Sequence, residues 1–400
     1  MTEIARLELG RRRADGTCEV AVVDAQGHRY PGVLTDPGLI EDYLAYLDSA
    51  GLDRPAVTVI GGAEPAPPSR APVRPPPPTV PIPVSSLARL VATAARAPSV
   101  HNTQPWHFRA SRDTMELLAD RSRKLPRLDP AGREMLISCG AALFGLRLAI
   151  RELGYLPEVK LFPDPAQADL LARVRLGAAA PVGLAEQQML AAMPYRHTHR
   201  GPFTAGPMPR GLLAGLQHDA VAEGCTLVLV DQPGRYQQLA ALVAAADRQQ
   251  HTDPAVRAEL RRWTRPQGSQ ARDGVPAYAF PAASAPVTGK LAQRDFDLGR
   301  HRGLLDAGGS PPAATGILTT PADSTADWVR AGQALHRLLL HAASHWVFAS
   351  LHTQPLESPS IRAEIKARFA LPGIPQMVLQ LGHGDSAAAT ARRPTDDILT

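Results

Sequence analysis

The chain has 400 residues, more than one ordinary hydrophobic core organises, so two or three domains are expected. Its formal charge of +5 comes from 43 basic and 38 acidic side chains mixed along the sequence, which argues against a nucleic-acid partner. No segment has the pattern of a signal peptide or the length of an apolar membrane span, so we expect no membrane contact and a cytoplasmic location. The 3 cysteines are far apart and indicate neither a disulfide framework nor a metal knuckle.

Residues 1–62 predict a small α/β unit of ββαβ type. Apolar and charged residues alternate in its first two strands, and Asp15-Gly16 between them is typical of a hairpin turn. The expected elements are strands at 5–9 and 18–22, a helix over 37–50 and a third strand over 56–60. So short a unit buries little apolar surface, so we expect it to dock on the main body or on a partner. Its role stays open.

A proline-rich stretch, residues 63–83, predicts an extended, semi-rigid linker. The main body is expected to have a first half over 84–180 and a second half over 181–400. The expected elements of the first half are a helix ending near Ala97, strands at 106–110 and 114–119, a long helix from Asp129-Pro130 to Gly154, and strands near 159–162 and 171–176.

The most informative stretch is residues 97–108, where an apolar helix stops and polar and aromatic residues follow. Pro98 disfavours the helical conformation in the residue before it, so the helix is expected to end there. Ser99, Asn102 and Gln104 supply short hydrogen-bonding side chains on a backbone stiffened by two prolines, which suits holding the edge of a planar heterocycle. A capped helix end followed by a turn uses the same residue types, so that structural interpretation also stays open.

The second half opens with the run Arg196-His197-Thr198-His199-Arg200. Two arginines four residues apart, with a hydroxyl between them, offer donors that can converge on a phosphate dianion. A structural arginine pair is the alternative. His197 and His199 occupy the intervening positions and are expected to pack or to face solvent.

The rest of the second half contains a long stretch without a periodic pattern. Residues 263–300 are rich in Ala, Pro and Gly, and so long an irregular segment in a compact body is usually functional or disordered. His341 and His345 stand four residues apart on a predicted helix, but no Glu lies between them and no metal site is expected. The other expected elements are helices over 212–221, 235–249 and 328–348, and strands over 225–230, 314–319 and 377–382.

Two of these motifs resemble those of a known family. PSVHNTQPW, residues 98–106, resembles the PSxxNxQPW loop of the nitroreductase superfamily, and RHTHR, residues 196–200, resembles the RxSxR motif of its subunits. From about Pro83 onward the chain is similar to the Acg-type subfamily, single chains in which two nitroreductase-like halves are fused. The resemblance implies an α+β nitroreductase-like fold and an FMN-dependent oxidoreductase.

The resemblance also implies which residues hold the flavin. The first motif would reach the isoalloxazine ring, the second would hold the phosphate, and a basic residue near the C-terminus would add to the phosphate site. The implied residues are Pro98, Ser99, Val100, Asn102 and Gln104 for the ring, Arg196, Thr198 and Arg200 for the phosphate, and Arg393 or Arg392 near the C-terminus. Residues 263–300 would form a lid over the flavin, with a surface crossover as the alternative. No side chain stands out as a catalytic acid or base.

Each motif occurs once, in a different half. In ordinary dimers of this family each flavin takes one motif from each subunit. One fused chain would therefore hold one FMN at an intrachain pseudo-dimer interface, which is compatible with a monomer and does not exclude a higher oligomer.

The expected function is transfer of hydride from NADH or NADPH to FMN, followed by reduction or oxidation of a small organic substrate on the flavin. One alternative is a protein that binds or sequesters FMN without turnover because the lid excludes nicotinamide. Another is a flavin-dependent dehydrogenase of a biosynthetic intermediate delivered by the N-terminal unit.

Overall fold

The computed structural model describes residues 4–9, 18–24, 33–35, 56–59, 80–201, 203–279, 291–296, 312–384 and 390–400. The chain divides into two compact units, residues 1–79 and 80–400. The second unit begins inside the stretch expected to be linker, because Val80 pairs with Leu176 and Ile82 is buried in the core of that unit.

The N-terminal unit contains a four-stranded sheet, within its described residues, in the order β3-β2-β1-β4. Its strands are β1 (Ile4–Leu9), β2 (Cys18–Asp24), β3 (Val33–Thr35) and β4 (Ala56–Val59). β1 runs antiparallel to β2 and parallel to β4, and the three predicted strands are confirmed. β3 was not predicted because three residues are too few for a periodic signal. The helix expected over 37–50 lies outside the described residues.

The first half of the second unit is an antiparallel sheet in the order β5-β6-β8-β7. Its strands are β5 (Trp106–Ala110), β6 (Thr114–Ala119), β7 (Tyr155–Leu161) and β8 (Leu170–Ala179), and its helices are α1 (Val84–Ala94) and α2 (Arg133–Glu152). The predicted bounds of β5 and β6 are confirmed. β7 begins earlier than predicted, because its side chains are only partly buried and do not alternate cleanly.

The second half is also an antiparallel sheet, in the order β13-β14-β12-β9. Its strands are β9 (Thr226–Leu229), β12 (Ala314–Thr320), β13 (Phe348–Leu351) and β14 (Ile374–Gly382). Its helices are α3 (Leu184–Ala192), α4 (Leu212–Ala222), α5 (Pro233–Thr252), α6 (Pro254–Arg262), α7 (Thr325–Ser344), α8 (Gln354–Glu357) and α9 (Pro359–Arg368). A two-stranded parallel ladder joins β10 (Thr264–Arg265) to β11 (Val275–Pro276).

The predicted C-terminal end of the helix expected over 328–348 was wrong. α7 ends at Ser344, and Trp346 adopts a left-handed backbone with φ of 57°, which an α-helix cannot continue through. Phe348 therefore begins a strand instead of ending the helix. Helices α3, α6, α8 and α9 were not predicted.

The two long helices α2 and α7 pack on each other through a reciprocal pair of glycines. A Cβ atom at Gly140 would lie 2.1 Å from the carbonyl oxygen of Val329, and one at Gly332 would lie 1.9 Å from that of Ile137. Each helix has 20 residues and each glycine is its eighth residue. Val329 of α7 belongs to the core of the first half, and Ile137 of α2 to that of the second.

The same helices carry an internal repeat that the sequence reading missed. Both contain the pattern Gly-x-Ala-Leu-x-x-Leu-x-Leu, over residues 140–148 and 332–340. The matched helices, each beside its own four-stranded antiparallel sheet, support the interpretation of two fused halves. Within the described residues, no helix combines the length and the apolar composition needed to cross a membrane.

Candidate functional site at the junction of the two halves

The loop after α1 holds an unusual backbone. His101, Asn102 and Gln104 all have positive φ, at 46°, 54° and 50°. Non-glycine residues in this conformation are uncommon and cost free energy, so such a cluster is typical of a functional site. Two hydroxyls brace the loop: Ser99 Oγ accepts a hydrogen bond from the Gln104 amide at 3.0 Å, and Ser138 Oγ of α2 accepts one from the Val100 amide at 3.1 Å.

The side-chain amides of Asn102 and Gln104 bind other parts of the chain. Asn102 Nδ2 donates to the carbonyl oxygens of Gly274 at 3.0 Å and Ala391 at 3.2 Å. Gln104 Nε2 donates to the Arg272 carbonyl at 2.8 Å, and its Oε1 accepts from the Arg393 amide at 2.8 Å. In this structure these amides therefore hold the 272–274 segment and the C-terminal tail against the loop.

The 196–200 run lies beside β13 in the second half. Thr198 forms a parallel bridge with Ala349, and the His199 amide donates to the Ala349 carbonyl at 2.8 Å. The two histidines pack against aromatic rings, which is one of the two predicted alternatives. The ring centroids of His197 and Phe348 are 4.4 Å apart, and those of His199 and Phe203 are 4.7 Å apart. This pairing leaves Thr198 and Arg200 on the wall of a cavity.

Three arginines gather here with no acidic partner among the described residues. Arg196 is buried, and its Nε and Nη1 have no hydrogen-bond partner. Burial and the nearby charges of Arg392, Arg200 and Arg96 lower the pKa of Arg196 to about 9. Burial also lowers the pKa of Arg200 and of Arg392 to about 10. Arg196 is buried and Arg200 and Arg392 are partly buried, so their clustered positive charges favour the binding of an anion.

Of the two C-terminal candidates, Arg392 belongs to this cluster. Its guanidinium caps the end of α1, donating to the carbonyls of Ala95 at 2.9 Å and Arg96 at 3.2 Å, and Arg196 Nη2 also donates to Arg96 at 3.2 Å. Arg393 instead contacts the far side of the loop, 3.7 Å from Asp120 and 3.3 Å from the Gln104 carbonyl. The tail thus brings one basic side chain, not both, toward the other arginines.

Residues of both motifs line one open cavity, whose empty space of about 730 Å³ includes a part open to solvent. Pro98, Ser99 and Val100 come from the loop, and Thr198 and Arg200 from the second motif. The cavity also touches Ile137 of α2 and Leu335 of α7, so it lies where the two long helices meet. The structure therefore brings together residues that are about 100 positions apart in the chain.

Two cavity residues were missed by the sequence reading. His101 is 6% exposed, its two ring nitrogens have no partner, and its ring meets Phe296 edge-on at 5.4 Å. Glu134 is 3% exposed and its Oε2 has no partner. His101 stands inside the recognised loop, so its position was a usable signal. Glu134 lies in the first turn of α2, where an acidic residue is ordinary.

The prediction of an irregular stretch over 263–300 is wrong in part. Besides the β10-β11 ladder, Asp273 accepts hydrogen bonds from Arg265 at 2.7 Å and Arg123 at 3.0 Å. Leu291 and Phe296 are buried. Composition gave no hint of this order, because the partners of these residues lie in distant parts of the sequence. Residues 280–290 and 297–300 lie outside the described part.

The two helical histidines have other contacts. His341 Nδ1 lies 2.5 Å from Asp219 Oδ2, and His345 Nδ1 lies 3.1 Å from the His341 carbonyl. His352 is buried between the Ala292 carbonyl and Gln380. No group of three or more metal-ligating side chains occurs among the residues that the structure describes.

Comparison with known proteins gives the family. The chain is 34% identical over 325 residues to the Mycobacterium tuberculosis protein named "Putative NAD(P)H nitroreductase Rv3131". The aligned region covers 79% of this chain and 92% of that protein. The chain is 28% identical over 313 residues to the M. tuberculosis protein named "Putative NAD(P)H nitroreductase acg", covering 77% of this chain and 93% of that protein.

Solved structures and family models add less. An FMN-bound nitroreductase from Desulfitobacterium hafniense aligns at 12% identity with a TM-score of 0.35, over 53% of this chain and 96% of that one. No family model matches the chain. The curated relatives confirm the family expected from the two motifs, and the chain belongs to the nitroreductase family that includes Acg.

Proposed function

We propose that this protein is an FMN-dependent oxidoreductase that uses NADH or NADPH and acts on a small organic molecule. The observation that carries the proposal is the arginine cluster, of which Arg200 lines, together with Thr198, a cavity that residues 98–101 of the loop also line. The names of the relatives support the same activity.

The residues present fit the phosphate of FMN. Arg196 has two buried, unpartnered nitrogens, and Arg200 has no acidic partner among the described residues. A phosphate dianion would neutralise these charges and accept their hydrogen bonds, with the Thr198 hydroxyl as a further donor. Arg392 would add positive charge, but its own donors are already used at the end of α1.

The chain's other residues would orient and shield the ring. Pro98, Ser99 and Val100 line the cavity beside apolar side chains of both long helices, which favours a flat, conjugated occupant. These residues would hold FMN, whose chemistry when bound is the transfer of two electrons from a nicotinamide to the substrate. Asn102 and Gln104 keep the loop in place through the 272–274 segment and the C-terminal tail.

The pure protein should be yellow, with close to one FMN per chain, because the chain offers one set of motifs divided between its halves. Chromatography identifies the released flavin. Its absorption, divided by the protein concentration, measures this ratio. Added anaerobically, NADH or NADPH should bleach the bound flavin, and a quinone or a nitroaromatic compound should restore its colour. A colourless protein that does not take up FMN would contradict the proposal.

Sequestration of FMN without turnover is the second candidate. The observation that favours it is the closure of the 272–274 segment on Asn102 and Gln104, fastened by Asp273 to Arg123 and Arg265. If this closure excludes nicotinamide, dithionite will reduce the flavin while NADH and NADPH will not. Asp273→Ala should then create reactivity with nicotinamide. Asp164→Ala should not, because Asp164 accepts hydrogen bonds only from Ala166 and Gln167 in its own turn among the described residues. Rapid bleaching in the unaltered protein would rule out sequestration.

A chain that begins at Val80 should fold and keep FMN, because every residue assigned to the cofactor lies in the second unit. Its affinity for FMN should stay within about twofold of the full chain, a difference of roughly 0.4 kcal/mol. Titration of the FMN-free forms by quenching of flavin fluorescence measures both affinities. A folded but colourless truncated protein would place part of the site in the N-terminal unit.

A further inference from the structure

The cavity wall carries one carboxyl group that nothing in the proposed flavin site uses. Glu134 lines the cavity and is 3% exposed. Its Oε1 accepts a hydrogen bond from Arg133 Nη2 at 2.9 Å, while its Oε2 has no partner. A buried polar atom without a partner costs free energy, so a ligand that satisfies it would gain affinity.

The groups around Glu134 favour its neutral form. Burial and the carboxylates of Glu357 and Asp129 raise the pKa of Glu134 well above its usual value, against the opposing charges of Arg133 and Arg294. Arg294 is itself paired with Glu357, at 2.5 Å. Arg133 divides its donors between Glu134 and the carbonyls of Gln376 at 2.9 Å and Leu356 at 3.4 Å.

The carboxyl geometry places the proton. Oε1 already accepts from a guanidinium, so in the neutral acid the hydrogen belongs on Oε2, the oxygen without a partner. His101 lines the same cavity, and burial and the charges of Arg294 and Arg200 lower its pKa well below the usual value, so this ring is neutral and supplies no counter-charge for an ionised Glu134. The wall thus presents a hydrogen-bond donor to whatever occupies the cavity.

We propose that Glu134 is a specificity-determining residue that donates a hydrogen bond from Oε2 to an acceptor atom on a planar conjugated ring in the cavity. This inference rests on the proposed function for the nature of the ring. The acceptor is either an atom of the flavin or a carbonyl or nitro oxygen of the compound it reduces. A cationic amine does not fit, because a neutral acid has no charge to offer it.

Two substitutions of similar size separate the donor from the charge. Glu134→Gln keeps a donor and cannot ionise, whereas Glu134→Leu removes the donor. The FMN content and the thermal midpoint of each holoprotein are measured first. Equilibrium dialysis then gives the affinity of the oxidised proteins for 1,4-naphthoquinone and for naphthalene, which lacks the acceptor oxygens. Redox titration gives the flavin midpoint potential from pH 6 to pH 9.

If the acceptor belongs to the substrate, Glu134→Leu should bind naphthoquinone about tenfold more weakly, and Glu134→Gln within about twofold of the unaltered protein. Naphthalene should bind all three proteins alike. If the acceptor belongs to the flavin, Glu134→Leu should shift the midpoint potential and Glu134→Gln should retain it. In either case the unaltered protein should lose the interaction as pH rises and Glu134 ionises, while Glu134→Gln should not.

The proposal would be overturned if naphthoquinone affinity and flavin potential were unchanged in Glu134→Leu. It would also fail if Glu134→Gln lost as much as Glu134→Leu, because the carboxylate and not a donor would then be required. The dialysis does not need flavin, so an unaltered protein without FMN would contradict the proposed function, while the naphthoquinone affinities would still decide whether Glu134 donates to a substrate oxygen.

Discussion

Arg200→Ala should release FMN while leaving the fold intact, and Arg196→Ala should do the same to a smaller extent. Each substitution removes charge-assisted hydrogen bonds to the phosphate, worth roughly 1.5 to 3 kcal/mol, or about one to two decades in affinity. Arg200 lines the cavity, whereas Arg196 is not among the residues that line it and donates a hydrogen bond to the Arg96 carbonyl. Quenching of flavin fluorescence on binding to the FMN-free protein measures the affinity.

The thermal midpoint of the FMN-free protein separates a binding role from a structural one. Arg196 is a buried cation without an acidic partner among the described residues, so its removal relieves a desolvation cost. We therefore expect FMN-free Arg196→Ala to melt no lower than the unaltered protein, and to gain less from added FMN. Arg368→Ala on α9, in an exposed pair with Glu364, is the matched control and should change neither quantity. A double variant, Arg196→Ala with Arg200→Ala, that kept full affinity would remove this cluster from the site.

Gly332→Ala should destabilise the second unit severely and weaken the binding of FMN with it. The new Cβ would lie 1.9 Å from the Ile137 carbonyl and 2.8 Å from the Ala141 nitrogen, so the backbones of α2 and α7 would have to separate. Overpacking of a core typically costs 1 to 3 kcal/mol, and we expect about 3 kcal/mol or more because backbone atoms cannot rotate away. Ile137 and Leu335 line the cavity, so the displacement reaches the site. The urea midpoint and the FMN content measure both effects.

Gly140→Ala should reproduce this result, because its Cβ would lie 2.1 Å from the Val329 carbonyl on the facing helix. Gly234→Ala is the matched control, since nothing lies within 4 Å of a Cβ at that position in the first turn of α5. Alanine is the better helix former by about 1 kcal/mol, so the control should be neutral or slightly stabilising. A stable, yellow Gly332→Ala protein would show that the two helices can move apart at little cost.

The relation of sequence to structure differs between local and distant features. The alternation after Trp106 predicts β5 and β6 with their observed bounds, because this signal acts between neighbours in the chain. Pro98 predicts that α1 stops before it, and α1 ends at Ala94, three residues before the expected end near Ala97. The family was readable for a similar reason, since each motif is one short continuous run. The bounds of α7 were misjudged where the apolar pattern continued past Trp346, whose left-handed backbone ends the helix.

The sequence by itself determined the family, most strands and long helices, and the two motifs, because these depend on residue types at short spacings. Only the tertiary structure decided which polar groups face the cavity and which are used within the protein. Arg392 donates a hydrogen bond to Asn102, which lies 290 residues away in the sequence. Asn102 donates one to the Gly274 carbonyl, 172 residues away. Glu134 and His101 lose their water only because α2, α7 and the loop close around them. Burial and the choice of partner arise from chain segments that no local pattern connects.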